Sequence, residues 1–209
     1  MEMLGRVGAL ITDSHIVYAS GKHGSAYVNK DAVYPYTAIV AELCGDIVGH
    51  FSHDAIGVEY EVVVGPEKGG IILAQWTAYN SAHRWAQGKQ ILAVYAEKEA
   101  DGFAFHRGYD RLITDKKILI VEDVMTTGGS VKKVVDAVRA LNGDIVGVGA
   151  LCNRGGVTAA DIGGVPEIFA LVNVALEAWP EAECPLCAKG VPINTNVGKG
   201  REFLARKNA

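Results

Sequence analysis

One stretch of the sequence carries several chemically distinct groups in close succession. Apolar Ile118-Leu119-Ile120-Val121 leads into Glu122-Asp123-Val124-Met125 and then Thr126-Thr127-Gly128-Gly129-Ser130. Glycines let the backbone curl until successive N–H groups point inward. The hydroxyls of Thr126, Thr127 and Ser130 add donors, and a helix starting there favours an anion. The dipole contributes about 0.3–1 kcal/mol, so converging N–H groups must supply most of the grip. Glu122 and Asp123 repel by about 4 kcal/mol if their charges sit ~4 Å apart at an effective dielectric of about 20. A strand end tolerates the pair if hydroxyl donors or a cation share it, and a sugar diol beside a phosphate supplies such donors. The stretch lacks the Gly-Lys-Ser/Thr ending of a nucleotide P-loop and the spacing of a dinucleotide fingerprint.

Other candidates are more open. Lys68 lies in the turn Gly65-Pro66-Glu67-Lys68-Gly69-Gly70, and Arg154 precedes Gly155-Gly156. Between Glu97 and Gly108, Lys98, His106 and Arg107 are cations, although Lys98 could simply pair with Glu97 or Glu99. Phe103 and Phe105 are either core residues of a hairpin or, as the bracketing Gly102 and Gly108 favour, part of a lid. Cys184 and Cys187 form a C-x2-C, which is half of a zinc site. No second pair accompanies it, and His23 and His83 show no constellation. Two halves could combine across a dimer, but free thiols or a redox pair is the favoured reading, and no metal is assigned to protein side chains.

The elements needed to position these loops are legible. Met3–Ile11 suits a short amphipathic helix. His15–Ala19 and Ala26–Val28 read as strands around Ser20-Gly21-Lys22-His23-Gly24-Ser25, which is turn chemistry. Tyr36–Phe51 is helical, with Ile39, Val40, Leu43, Ile47 and Val48 on one face. Apolar strands over 61–64, 91–95, 117–121, 145–151 and 167–172 then alternate with helices over 71–80 and 131–141. Strands apolar throughout, alternating with helices, predict a parallel sheet covered on both faces. Such sheets bind ligands beyond the carboxyl ends of their strands, which are the loops after Val64, Tyr95, Val121 and Leu151.

Composition narrows the class. The 209 residues include 25 glycines, well above the typical ~7 per cent, and marking sharp turns or close backbone approach. Twenty basic against 24 acidic residues give a net charge of −4, which argues against a general nucleic-acid clamp. No apolar run approaches ~18 residues and the start carries no basic leader, so neither membrane insertion nor export is expected. Four cysteines do not make a disulfide scaffold, and a reducing cytoplasm is expected.

The stretch Ile118–Ser130 closely resembles the phosphoribosyl-pyrophosphate (PRPP) motif of type I phosphoribosyltransferases. The resemblance covers most of the chain and is greatest to the orotate phosphoribosyltransferases. It implies an α/β fold: a parallel β-sheet flanked by helices, with a small hood subdomain. The core would span about 60–175 and the hood about 1–59 and possibly 176–209, all within one phosphoribosyltransferase domain. It also implies that Glu122 and Asp123 hold the ribose hydroxyls and that Thr126, Thr127, Gly128, Gly129 and Ser130 cradle the 5′-phosphate. Lys68 would meet pyrophosphate. Ser20, Gly21, Tyr27 and Val28, in a segment similar to that family's base-holding one, would contact the nucleobase together with Arg154.

The family's mobile catalytic loop begins Arg-Lys-Glu and carries a second lysine; here Lys98 matches, Glu97 replaces the arginine and Asp101 replaces that lysine. Ala19 likewise stands where a lysine usually precedes Ser20-Gly21. Lys98 and Asp123, with His106 and Arg107, are the catalytic candidates. The implied reaction joins a base to PRPP with Mg2+, releasing pyrophosphate, in a cytoplasmic homodimer that engages neither nucleic acid nor membrane. Orotate is the leading base. A purine base, or a regulator that binds PRPP without turnover, are the alternatives.

Overall fold

Short apolar pairs separated by glycine and serine allow only brief strands near the start of the chain. In the computed structural model, which describes residues 8–52, 57, 59–84, 90–174 and 176–207, these are β1 (Leu10–Ile11), β2 (Ile16–Val17), β3 (His23–Gly24) and β4 (Tyr27–Val28). β1 pairs antiparallel with β4, and β2 with β3. Leu10 and Ile11 are therefore strand, where the sequence predicts the end of a helix. Pairing with Val28 and Tyr27 gives their backbone a tertiary partner that outweighs weak local periodicity. Met3–Val7 lie outside the described residues. Gly21, at φ +80°, reverses the chain between β2 and β3, and Tyr18 and Lys22 close the turn through a 2.8 Å backbone hydrogen bond.

From Tyr36 the pattern changes to long elements. In order these are α1 (Thr37–His50), β5 (Val62–Pro66), α2 (Gly69–Arg84), β6 (Leu92–Lys98), β7 (Phe103–Ala104), α3 (Asp110–Ile113), β8 (Lys117–Met125), α4 (Gly129–Ala140), β9 (Asp144–Asn153) and β10 (Ile168–Asn173). The strands form one six-stranded sheet in the order β10-β9-β8-β5-β6-β7, parallel except for β7. Val62–Val64 and Ile118–Val121 are fully buried, as strands covered on both faces must be. Val131, Val134, Val135 and Val138 line the buried face of α4 at helical spacing. Each such side chain contributes about 1.5–3 kcal/mol of burial.

Two compact units divide the chain: Tyr36–Val174, the sheet unit, and Met1–Pro35 with Ala175–Ala209, the end unit. α1 belongs to the sheet unit because Gly147 and Gly149 let it approach closely. A Cβ at Gly147 would come within 2.5 Å of the Phe51 ring, and one at Gly149 within 2.6 Å of Ile47. His50, in the last turn of α1, stacks on Phe169 of β10 at 3.9 Å.

In the end unit, the returning chain contributes α5 (Pro185–Ala188) and α6 (Gly200–Lys207). Trp179 and His23 exchange two backbone hydrogen bonds of 2.8 Å, and the Asn194 N–H donates to the His15 carbonyl at 2.8 Å. Phe203 of α6 is buried edge-on against the His23 ring. The two chain segments are thus stitched by backbone pairing around two histidines.

Candidate active site

At the carboxyl end of β8, residues 124–131 and Glu122 line a cleft of about 110 Å³. Gly128, at φ +73°, caps α4, and a Cβ there would come within 2.8 Å of both Ile162 and Val157. Only glycine makes this turn against that wall. The first N–H groups of α4 have no intrahelical acceptor; that of Gly129 meets the Thr127 hydroxyl at 3.4 Å, a long bond that an anion in the cleft could replace. Thr126, Thr127, Gly129 and Ser130 are exposed around it. From behind, the loop rests on the segment after β9. The Met125 carbonyl accepts from the N–H groups of Arg154, at 2.8 Å, and Gly155, at 3.3 Å, and a Cβ at Gly155 would collide with the Thr126 carbonyl. Gly155 is therefore required by a backbone-on-backbone contact that holds the cradle's shape.

The acidic pair sits differently from its expected place just beyond a strand ending at Val121. β8 continues through both carboxylates to Met125, with Glu122 opposite Ala150 and Val124 opposite Cys152. Successive side chains on a strand leave opposite faces, so the pleat itself relieves part of the repulsion between neighbours. Glu122 lines the cleft and Asp123 is 3% exposed beside it. The Glu122 carboxylate accepts from the Asp123 N–H at 2.9 Å, and the Asp123 carboxylate from the Val124 N–H at 2.6 Å. These bonds fix both carboxylates against the strand.

Lys68 is exposed at the carboxyl end of β5, in a turn containing a cis Glu67–Lys68 peptide. The Glu67 N–H donates to Ala96 of β6 at 2.9 Å, and Gly65 and Gly70 pack so closely that a Cβ on either would strike the other's backbone. Lys68 is thus presented from a turn fixed to the sheet. Arg154 follows β9, and its charge offsets part of the effect of burial, which raises the Cys152 thiol above the usual range.

The segment 97–108 is an ordered hairpin. Glu97 and Lys98 pair with Ala104 and Phe103, and the Glu99 N–H donates to Gly102 at 3.0 Å across the turn. Phe103 and Phe105, expected to cover a ligand, pack instead against the hydrophobic core with Tyr109. Both rings are half-buried in that contact, which favours the core reading. Arg107 reaches back to Glu97 through two hydrogen bonds of 3.0 and 3.4 Å, an ion pair that holds its guanidinium above its ordinary pKa. His106 meets Glu99 at 3.1 Å, and Lys98 is exposed. The glutamate in place of arginine at position 97 therefore receives a guanidinium from ten residues further along, a pairing that adjacency in sequence could not reveal.

In the end unit, Ser20 and Gly21 occupy the exposed turn between β2 and β3, and Tyr27 and Val28 are half-buried on β4. The same hairpin overturns the reading of His23 as a histidine without a constellation. His15, His23, Cys184 and Cys187 bring one ligand atom each to within 4.8 Å of all the others. Sequence inspection missed this set because its halves lie at opposite ends of the chain. His83 is different: its Nδ1 bonds the Tyr79 carbonyl of its own helix, α2, at 2.8 Å on the surface.

Residues 33–182 match the phosphoribosyl transferase domain. The chain belongs to that family. The orotate phosphoribosyltransferase of Caldanaerobacter subterraneus subsp. tengcongensis is 33% identical to this phosphoribosyl transferase over 184 residues, 88% of each chain. That of Carboxydothermus hydrogenoformans is 34% identical over 183 residues, again 88% of each. The crystal structure of Mycobacterium tuberculosis H37Rv orotate phosphoribosyltransferase in complex with PRPP superimposes with a TM-score of 0.57. It is 23% identical and the match covers 83% of this chain and 95% of that one, a likeness of fold. Among the described residues of this phosphoribosyl transferase, no helix is long and apolar enough to cross a membrane.

Proposed function

We propose that the chain transfers the 5-phosphoribosyl group from PRPP to orotate, giving orotidine 5′-monophosphate and pyrophosphate. The observation that carries this reading is the Thr126–Ser130 cradle facing Glu122 in one cleft, in a chain whose curated relatives are orotate phosphoribosyltransferases. The backbone N–H groups opening α4 and the hydroxyls of Thr126, Thr127 and Ser130 take the 5′-phosphate. Glu122 from within the cleft, and Asp123 from its buried place beside it, accept from the ribose hydroxyls. The bond from C1′ to the pyrophosphate oxygen breaks, the bond from C1′ to the base nitrogen forms, and the nitrogen's proton leaves.

Positive charge develops at the ribose as pyrophosphate departs, so the chain's work is orientation and electrostatic stabilisation. Lys68 meets the leaving group, and Lys98 is the hairpin's contribution, with His106 and Arg107 held by Glu99 and Glu97. Arg154, whose N–H holds the Met125 carbonyl behind the cradle, is the sheet unit's candidate for the base, and Ser20, Gly21, Tyr27 and Val28 are the end unit's own candidates. Mg2+ takes oxygen donors, which the phosphates of PRPP would supply, and when bound would neutralise the leaving group. A place in pyrimidine biosynthesis follows from the product, and four free cysteines fit a cytoplasmic enzyme.

A homodimer is supported by α2, where Ile72 and Tyr79 are exposed 37% and 54% on one stripe with Trp76. Light scattering that gives the monomer mass would count against it. For the reaction, pyrophosphate release is measured with PRPP, Mg2+ and each of orotate, adenine, guanine and hypoxanthine. Release with orotate alone is expected. Release with a purine overturns the base assignment, and PRPP binding without release with any base makes the chain a regulator.

A further inference from the structure

The end unit contains a four-residue cluster that phosphoribosyl transfer does not use. The His15 Nε2 lies 2.9 Å from the His23 Nδ1. The Cys184 sulfur is 3.6 Å from the His15 Nε2, and the Cys187 sulfur is 3.6 Å from that same nitrogen and 3.3 Å from the His23 Nδ1. With Zn–S near 2.3 Å and Zn–N of about 2.0–2.1 Å, the edges of a tetrahedral site are about 3.3–3.8 Å. The cluster already has nearly those dimensions. His15, His23 and Cys184 are buried and Cys187 is half-buried, which leaves one side through which an ion could enter.

The surroundings are those of a ligand set. The His15 Nδ1 is 2.7 Å from the Val191 carbonyl, which can only accept, so Nδ1 carries the proton and Nε2 turns its lone pair to the cluster. The His23 Nε2, on the far side of its ring, has no hydrogen-bond partner among the described residues, and it would carry the ring's proton when Nδ1 turns its lone pair to an ion. Cys184 caps α5, and its sulfur accepts from the Cys187 N–H at 3.5 Å, which places both sulfurs on the same side of the turn. Two imidazole nitrogens and two thiols suit a borderline-soft divalent ion and do not suit Mg2+, which takes oxygen donors.

We propose that His15, His23, Cys184 and Cys187 form a closed, structural Cys2His2 zinc site. With four protein ligands and no open position, the ion would take no part in chemistry. It would tie the β2–β3 hairpin to the returning chain around α5, fixing the turn that carries Ser20 and Gly21. Binding would convert two thiols to thiolates, with release of two protons.

The test is metal analysis of the full chain, expressed without a histidine tag and purified without chelator, followed by Co2+ substitution. One equivalent of zinc per chain is expected, and the Co2+ form should show the intense visible bands of a tetrahedral site with sulfur ligands. Cys187→Ser should weaken Co2+ binding by at least tenfold, while Cys44→Ser, at a buried thiol in the sheet unit, should leave the spectrum unchanged. Should Cys187→Ser fail to fold, thiol titration of the wild type decides: Cys184 and Cys187 should react only after zinc is displaced. A chain that purifies without zinc and takes up no Co2+ overturns the proposal, as does a Cys184–Cys187 disulfide found in its place. None of these readouts depends on transferase activity.

Discussion

In the sheet unit, the phosphate cradle stands on the end of a buried strand. Glycine lets backbone rest on backbone at Gly155 and Thr126, and the valine face of α4 anchors the helix that follows. In the end unit the strands are two residues long, and the polar heads of His15, His23, Cys184 and Cys187 share the interior with a small apolar set that includes Ile16, Val17, Tyr18 and Phe203. One site is shaped by a scaffold that is stable through apolar burial. The other must supply, through its own bonds, part of the stability of the unit that contains it. Both units use glycine for close approach; the end unit, with the smaller apolar core, is the one to which side-chain ligation adds.

The largest effect should come from breaking the backbone contact. Gly155→Ala forces the Thr126 carbonyl to move, and PRPP affinity measured by calorimetry should fall at least 100-fold, which is about 2.7 kcal/mol. Retained affinity would mean that the cradle does not depend on that contact. Glu122→Gln comes next. Hydrogen bonds to a charged group contribute about 1.5–3 kcal/mol, so PRPP binding should weaken roughly 10- to 100-fold. Asp123→Asn should act in the same direction, and unchanged affinity in both would remove the ribose assignment.

Chelation with a strong zinc ligand separates the two units. Amide exchange should accelerate in the strands around His15 and His23 while residues 118–121 keep their protection; equal loss in both would erase the contrast drawn above. The smallest effect belongs to the surface. Glu61, paired with Lys116 at 2.9 Å, has its carboxyl held below the ordinary range by that lysine. Its stabilisation is present above the unfolded carboxyl value, ~4.3, and disappears as pH falls through the lower folded value. Because both partners are exposed, Glu61→Gln should cost no more than about 0.5 kcal/mol in urea unfolding at pH 7.

What could be read in advance follows from contiguity. Ile118–Ser130 is strand, turn and helix in unbroken sequence, so its chemistry and scaffold were legible together, and the alternation of apolar strands with helices gave the parallel sheet. The extension of β8 through Glu122 and Asp123 was not, because register with β9 keeps them in the strand against their charge. Phe103 and Phe105 carry no local mark that separates lid from core. The end unit left no linker to find, since it consists of both ends of the chain. His23 looked solitary for the same reason: it and Cys187 are 164 positions apart.

That separation also orders events in time. A ribosome adding roughly 5–20 residues per second needs on the order of ten to thirty seconds to travel from His23 to Cys187. Everything from Tyr36 to Val174 emerges in the interval, so the sheet can close while the first hairpin still waits for the other half of its ligand set. Trp179, joined to the His23 backbone by two hydrogen bonds, is synthesised just before the cysteines, so that pairing must also wait for the far end of the chain.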